Sequence, residues 1–72
     1  MELQTLVFNT TTKVVRLYKG SAEQSEIIQI FTDVPTVQIK DGYYEVWKND
    51  ELDKRLPVLR VPVANTNMFI NQ

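Results

Sequence analysis

Three carboxylates, Asp50, Glu51 and Asp53, stand close together in the run Asn49-Asp50-Glu51-Leu52-Asp53-Lys54-Arg55. Paired carboxylates are what acid–base or divalent-metal chemistry requires. The spacing goes no further toward a site, because a calcium loop also needs a glycine at its sharp turn and a distal glutamate. With Lys54 and Arg55 in the same run, a solvated turn of mixed charge is the better reading. Ser21 and Ser25 are candidate nucleophiles, but the chain holds no His to activate them and no Cys to stand in for them. A lysine acting as the base in their place would have to be buried. The two glycines, Gly20 and Gly42, are too far apart for a phosphate-cradling loop and both read as turn residues. Without His or Cys there is also no thiolate zinc site, no iron–sulfur cluster, no disulfide and no imidazole metal ligand. The expectation is a chain that is not an enzyme and carries no metal or cofactor.

One constellation remains, and it is aromatic. Thr36-Val37-Gln38-Ile39-Lys40, then Asp41-Gly42, then Tyr43-Tyr44-Glu45-Val46-Trp47-Lys48 has the form of a β-hairpin closed by a two-residue turn. Asp-Gly suits a type I′ turn, whose two central residues both need positive φ. That turn sets the register: Lys40 faces Tyr43, Ile39 faces Tyr44, Gln38 faces Glu45, Val37 faces Val46, and Thr36 faces Trp47. Opposed residues share a side and successive residues alternate. Val37, Ile39, Tyr44 and Val46 therefore make a core face. Gln38, Lys40, Tyr43, Glu45 and Trp47, with Thr36, make a polar face interrupted by two large aromatics, one of them the single Trp of the chain.

Two readings of that second face are open. Tyr and Trp are enriched at interface hot spots, so Gln38, Lys40, Tyr43, Glu45 and Trp47 are candidate contact residues. Equally, small β proteins bend their sheets until both sides partly fill, and Trp47 would then be core. Exposed aromatics beside Lys40 and Lys48 could also stack single-stranded bases. Glu45 lies between them, and the chain carries 8 Lys and Arg against 9 Asp and Glu. That balance disfavours a nucleic-acid binder, which needs a basic patch for phosphates.

The elements that would position this face are short and β-rich. Leu3–Phe8 and Lys13–Tyr18 are strand candidates joined through Asn9-Thr10-Thr11-Thr12. Residues 21–32 carry mixed signals. Ser21-Ala22-Glu23-Gln24 has the form of a capping box, and Ile27, Ile28, Ile30 and Phe31 fall at helical spacing. Against that, Glu26-Ile27-Ile28-Gln29-Ile30-Phe31 is dense in β-branched residues, which favour a strand. Val34-Pro35 closes the segment in either case. Val58–Val63 and Met68–Ile70 flank the turn-forming Ala64-Asn65-Thr66-Asn67. Pro57 and Pro62 cannot donate to a ladder, which places the first of these strands at an edge or gives it a bulge.

The expected fold is therefore all-β, a small antiparallel barrel or two-layer meander of about six short strands over residues 1–72 as one domain. A helix at 21–32 would make it α+β instead. A domain of 72 residues has little room for a core and usually leans on disulfides, a metal or a partner. Met1-Glu2-Leu3-Gln4 lacks the basic start and apolar stretch of a signal peptide, and no apolar run nears the roughly 18 residues of a membrane span. Asn9-Thr10-Thr11 matches the glycosylation acceptor only by chance in a chain expected to be cytoplasmic. The functional expectation is a protein-binding or assembly module, contacting another protein or a second copy of itself through the aromatic face or an edge strand. The alternatives are a small single-stranded nucleic-acid-binding domain, or a small inhibitor or accessory protein of a mobile element.

Overall fold

The structure, a computed structural model, describes residues 3–21 and 26–71. Seven strands are present among them: β1 (Gln4–Asn9), β2 (Val14–Lys19), β3 (Glu26–Phe31), β4 (Thr36–Lys40), β5 (Tyr43–Asn49), β6 (Arg55–Pro62) and β7 (Thr66–Ile70). They form two sheets, one of order β3-β2-β1-β7 and one of order β4-β5-β6. The architecture is all-β and two-layered, and the sheets do not close into a barrel.

Each local connection follows from its turn chemistry. Between β1 and β2, Asn9 Oδ1 accepts from the backbone N–H groups of Thr11 and Thr12, both at 3.0 Å. Lys13 completes that turn at φ +58°. Between β4 and β5, Asp41 and Gly42 both take positive φ, at 52° and 79°, as a type I′ turn demands. The ladder then matches the expected register at every pair, from Thr36 opposite Trp47 to Lys40 opposite Tyr43. Before β6, Asp50 Oδ1 accepts from Leu52 N and Lys54 N, both at 2.8 Å. The acidic run is thus an exposed turn held by its own first carboxylate.

Glu26–Phe31 is strand, so the helical alternative for 21–32 is corrected over those positions. The β-branched run lies against β2, where branching at Cβ costs nothing. The capping-box residues Ala22, Glu23 and Gln24 lie outside the described residues.

A second correction concerns pairing. The sheets are not wholly antiparallel, since β7 runs parallel to β1, with Leu6 opposite Met68 and Phe8 opposite Ile70. β6 and β7 are not a hairpin. Pro62 ends the β6 ladder, and a 3-10 turn at Val63–Asn65 carries the chain from one sheet to the other. Asn71, at φ +63°, then locks the end of β7: its N–H donates to Phe8 O at 2.7 Å, and its Oδ1 accepts from Thr10 N and Thr10 Oγ1.

The core lies between the layers. Leu6, Phe8, Val15 and Leu17 from the larger sheet meet Val46 and Val61 from the smaller, with Val34 of the connecting loop sealed among them. That loop is pinned to both sheets, as Val34 N donates to Lys13 O and Asn49 N donates to Asp33 O. Val37, Tyr44, Leu59, Phe31 and Met68 pack around the cluster. Ile39 does not, and is 70% exposed. Alternation puts Ile39 on the same side as Val37 and Tyr44, but the core cluster does not extend to it.

Candidate contact surfaces

The aromatic face lies on the outer side of the smaller sheet, with β5 in the middle. Strand β6 completes it, placing Pro62 beside Tyr43, Arg60 beside Glu45 and Pro57 beside Trp47. Val58 is the extra residue of a bulge between the Val46–Leu59 and Trp47–Pro57 pairs. Both readings of the Pro57/Pro62 strand therefore hold: β6 is an edge and it is bulged.

The bulge brings Arg60, which sequence reasoning left aside, into the centre of the face. Its guanidinium carbon stands 4.3 Å from the centroid of the Tyr43 ring, within the range of a cation–π contact. Its Nε lies 3.2 Å from Glu45 Oε2, whose side chain is largely buried. Arg60 could have been found by continuing the hairpin register across to the next strand, but only with the bulge at Val58 allowed for.

Of the five candidate contact residues, Gln38 and Lys40 are exposed and Tyr43 is just so, at 37%. Glu45 and Trp47 are partly buried. Tyr43 and Glu45 are drawn together by Arg60, whereas Trp47 stands apart and is not part of the hydrophobic core. Its Nε1 is sealed from solvent and finds no acceptor among the described residues. A donor closed off in that way cannot reach an incoming partner until its own surroundings move.

Two shallow grooves flank the bulge. One, of about 240 Å³, is lined by Glu45, Pro57, Val58, Leu59 and Arg60. The other, of about 160 Å³, is lined by Lys48, Asn49, Asp50, Leu56 and Val58. Both fall below the roughly 300 Å³ of ordinary small-molecule sites. No group of three His, Cys, Asp or Glu side chains stands together among the described residues, and no helix there is long and apolar enough to cross a membrane.

The larger sheet presents a different kind of surface at its β3 edge. Ile27, Ile28 and Ile30 are 49%, 50% and 54% exposed. Among the described residues strand β3 pairs with β2 on one side only, and none of them takes up its other row of backbone N–H and C=O groups. Ile28 is the extra residue of a bulge between the Leu17–Gln29 and Tyr18–Ile27 pairs. The bulge changes the parity of the strand. Ile27 beside Tyr18 and Ile30 beside Arg16 share the outer face although they are three positions apart. That face continues inward through Val7, which is buried between Arg16 of β2 and Phe69 of β7.

The other three edges are guarded. Strand β6 carries Arg55, Pro57, Arg60, Pro62 and its bulge. Strand β4 has only five residues, ends in Lys40 and follows Pro35. Strand β7 also has five residues, begins with the polar Thr66 and Asn67, and is turned away at Asn71. Prolines, charges, shortness and bulges are how sheet edges avoid adding strands. Of those devices β3 has the bulge and one terminal charge, Glu26.

No family model, curated protein or solved structure matches this chain.

Proposed function

We propose that the chain is a non-enzymatic protein-binding or assembly module that takes a partner strand along the open edge of β3. The observation that carries this reading is the row Ile27, Ile28 and Ile30, half-exposed on a strand that pairs along one edge only among the described residues. Adding a strand there satisfies the open backbone groups, while alternate side-chain positions supply selectivity. The aromatic face supports the same class of function less strongly. Arg60 already occupies the Tyr43 ring and neutralises Glu45, and the Trp47 donor is sealed.

The test is a capture experiment with two variants run beside the wild type. Ile30→Lys places a charge on the proposed contact at a half-exposed position, where substitution should cost the fold under about 1 kcal/mol. Partners held by the wild-type chain should be lost from Ile30→Lys and kept by a Tyr43→Ala, Trp47→Ala double variant that remains folded. The opposite pattern would move the contact to the aromatic face.

A further inference from the structure

We infer that the strand taken up by β3 is the β3 of a second copy, paired antiparallel about a two-fold axis with Ile27 of each copy opposite Ile30 of the other. This rests on the reading of β3 as the contact edge and names its occupant.

The bulge makes the strand self-complementary. In a two-fold antiparallel pair centred between Ile28 and Gln29, Ile27 meets Ile30 and Glu26 meets Phe31. Ile27 and Ile30 are both outer-face residues, because they stand beside Tyr18 and Arg16, two apart on β2. Glu26 beside Lys19 and Phe31 beside Val15 are both on the inner side. Both of these pairs thus join like faces. Moving the centre by one residue sets Ile27 against Phe31 and mixes the faces, the penalty that specifies register in sheets buried on one side.

Charge agrees with this pairing. Glu26 is the only charged residue of the strand, and it falls opposite Phe31 rather than its own copy, so no like charges are juxtaposed.

Closure agrees as well. A two-fold contact uses the same edge on both copies and stops at two. The sheet ends left over are two β7 edges, each short and turned away at Asn71. The product is one continuous sheet of eight strands rather than a fibre.

Area sets the strength. At about 25 cal/mol per Å², an isoleucine offers on the order of 100 Å² of apolar surface, so three half-exposed ones bring roughly 150 Å² per copy. A standard stable interface buries about 800 Å² per partner. The dimer is therefore a weak one, formed at high concentration and taken apart by dilution.

The experiment uses the full chain and its lack of native cysteine. Sedimentation equilibrium over a wide concentration range should show mass rising from the 8.4 kDa chain toward twice that value, with Ile30→Lys shifting the midpoint at least tenfold upward. Ile27→Cys and Ile30→Cys variants, mixed and oxidised, should give the mixed disulfide in several-fold excess over either symmetric one. A wild-type chain that stays at 8.4 kDa throughout overturns the proposal. So does a dimer indifferent to Ile30→Lys, or one whose symmetric disulfides predominate. If the chain is monomeric yet Ile30→Lys still loses captured partners, the two-fold falls and the β3 edge stands. If neither effect is seen, both fall.

Discussion

The outer face of the smaller sheet and the β3 edge of the larger one both turn large side chains outward, yet they are satisfied to very different degrees. Around Tyr43 the chain supplies its own partner: Arg60 lies over the ring and pairs with Glu45. Along β3 no described residue does, and three isoleucines stand half-exposed beside a row of backbone groups that none of the described residues pairs. The proposed contact therefore falls on the less guarded edge rather than on the aromatic face. What matters is which groups the fold leaves unsatisfied.

The largest expected effect would bring both regions down together. Leu6 comes from the larger sheet and is fully buried against Val46 and Val61 of the smaller. Leu6→Ala should cost about 2–5 kcal/mol. Because the two sheets share this core, thermal melts followed by Trp47 fluorescence and by backbone circular dichroism should shift together. Separate transitions would mean that the layers fold independently.

Gly42→Ala sharpens the contrast by loosening the aromatic side alone. Gly42 holds φ +79°, and a Cβ there would meet no atom, so the cost is backbone strain of about 1–2 kcal/mol. Denaturant titration should report that loss, while the self-association midpoint, read at full folding, should stay unchanged.

Thr5→Val acts on the other sheet by a smaller amount. Thr5 is fully buried and its Oγ1 donates to Gly20 O at 2.7 Å. Removing that bond also strands the carbonyl, for about 1 kcal/mol in the same titration. Smallest is Arg60→Ala. Its side chain is half in solvent, so the stability lost should be under about 1 kcal/mol. The informative readout is whether a second contact surface appears once the Tyr43 ring is bared; partner capture independent of β3 would show that it does.

How much of this was legible in the sequence depends on how local each signal was. The hairpin could be read pair by pair, because Asp41-Gly42 fixes both turn type and register within two residues. The β3 strand could be read from its β-branched run, although Ile27, Ile28, Ile30 and Phe31 also fit a helix by spacing. The β1–β7 pairing could not, since parallel neighbours arise from a crossover that no turn motif encodes. Ile39 was misassigned because alternation gives a side of the sheet and says nothing about whether another layer reaches that far. Arg60 stayed hidden behind the Val58 bulge, and the shared face of Ile27 and Ile30, on which the proposed two-fold pairing rests, stayed hidden behind the bulge at Ile28. In both strands, one inserted residue moves a side chain to the face that matters.

The most direct measurement is amide hydrogen exchange, residue by residue, on the wild-type chain at low and high concentration. The account predicts that protection along Glu26–Phe31 rises with concentration while the edges at Thr36–Lys40 and Arg55–Pro62 stay as they were. Exchange along β3 that remains as fast as at β4 at every concentration, or protection that rises first around Tyr43 and Trp47, would contradict it.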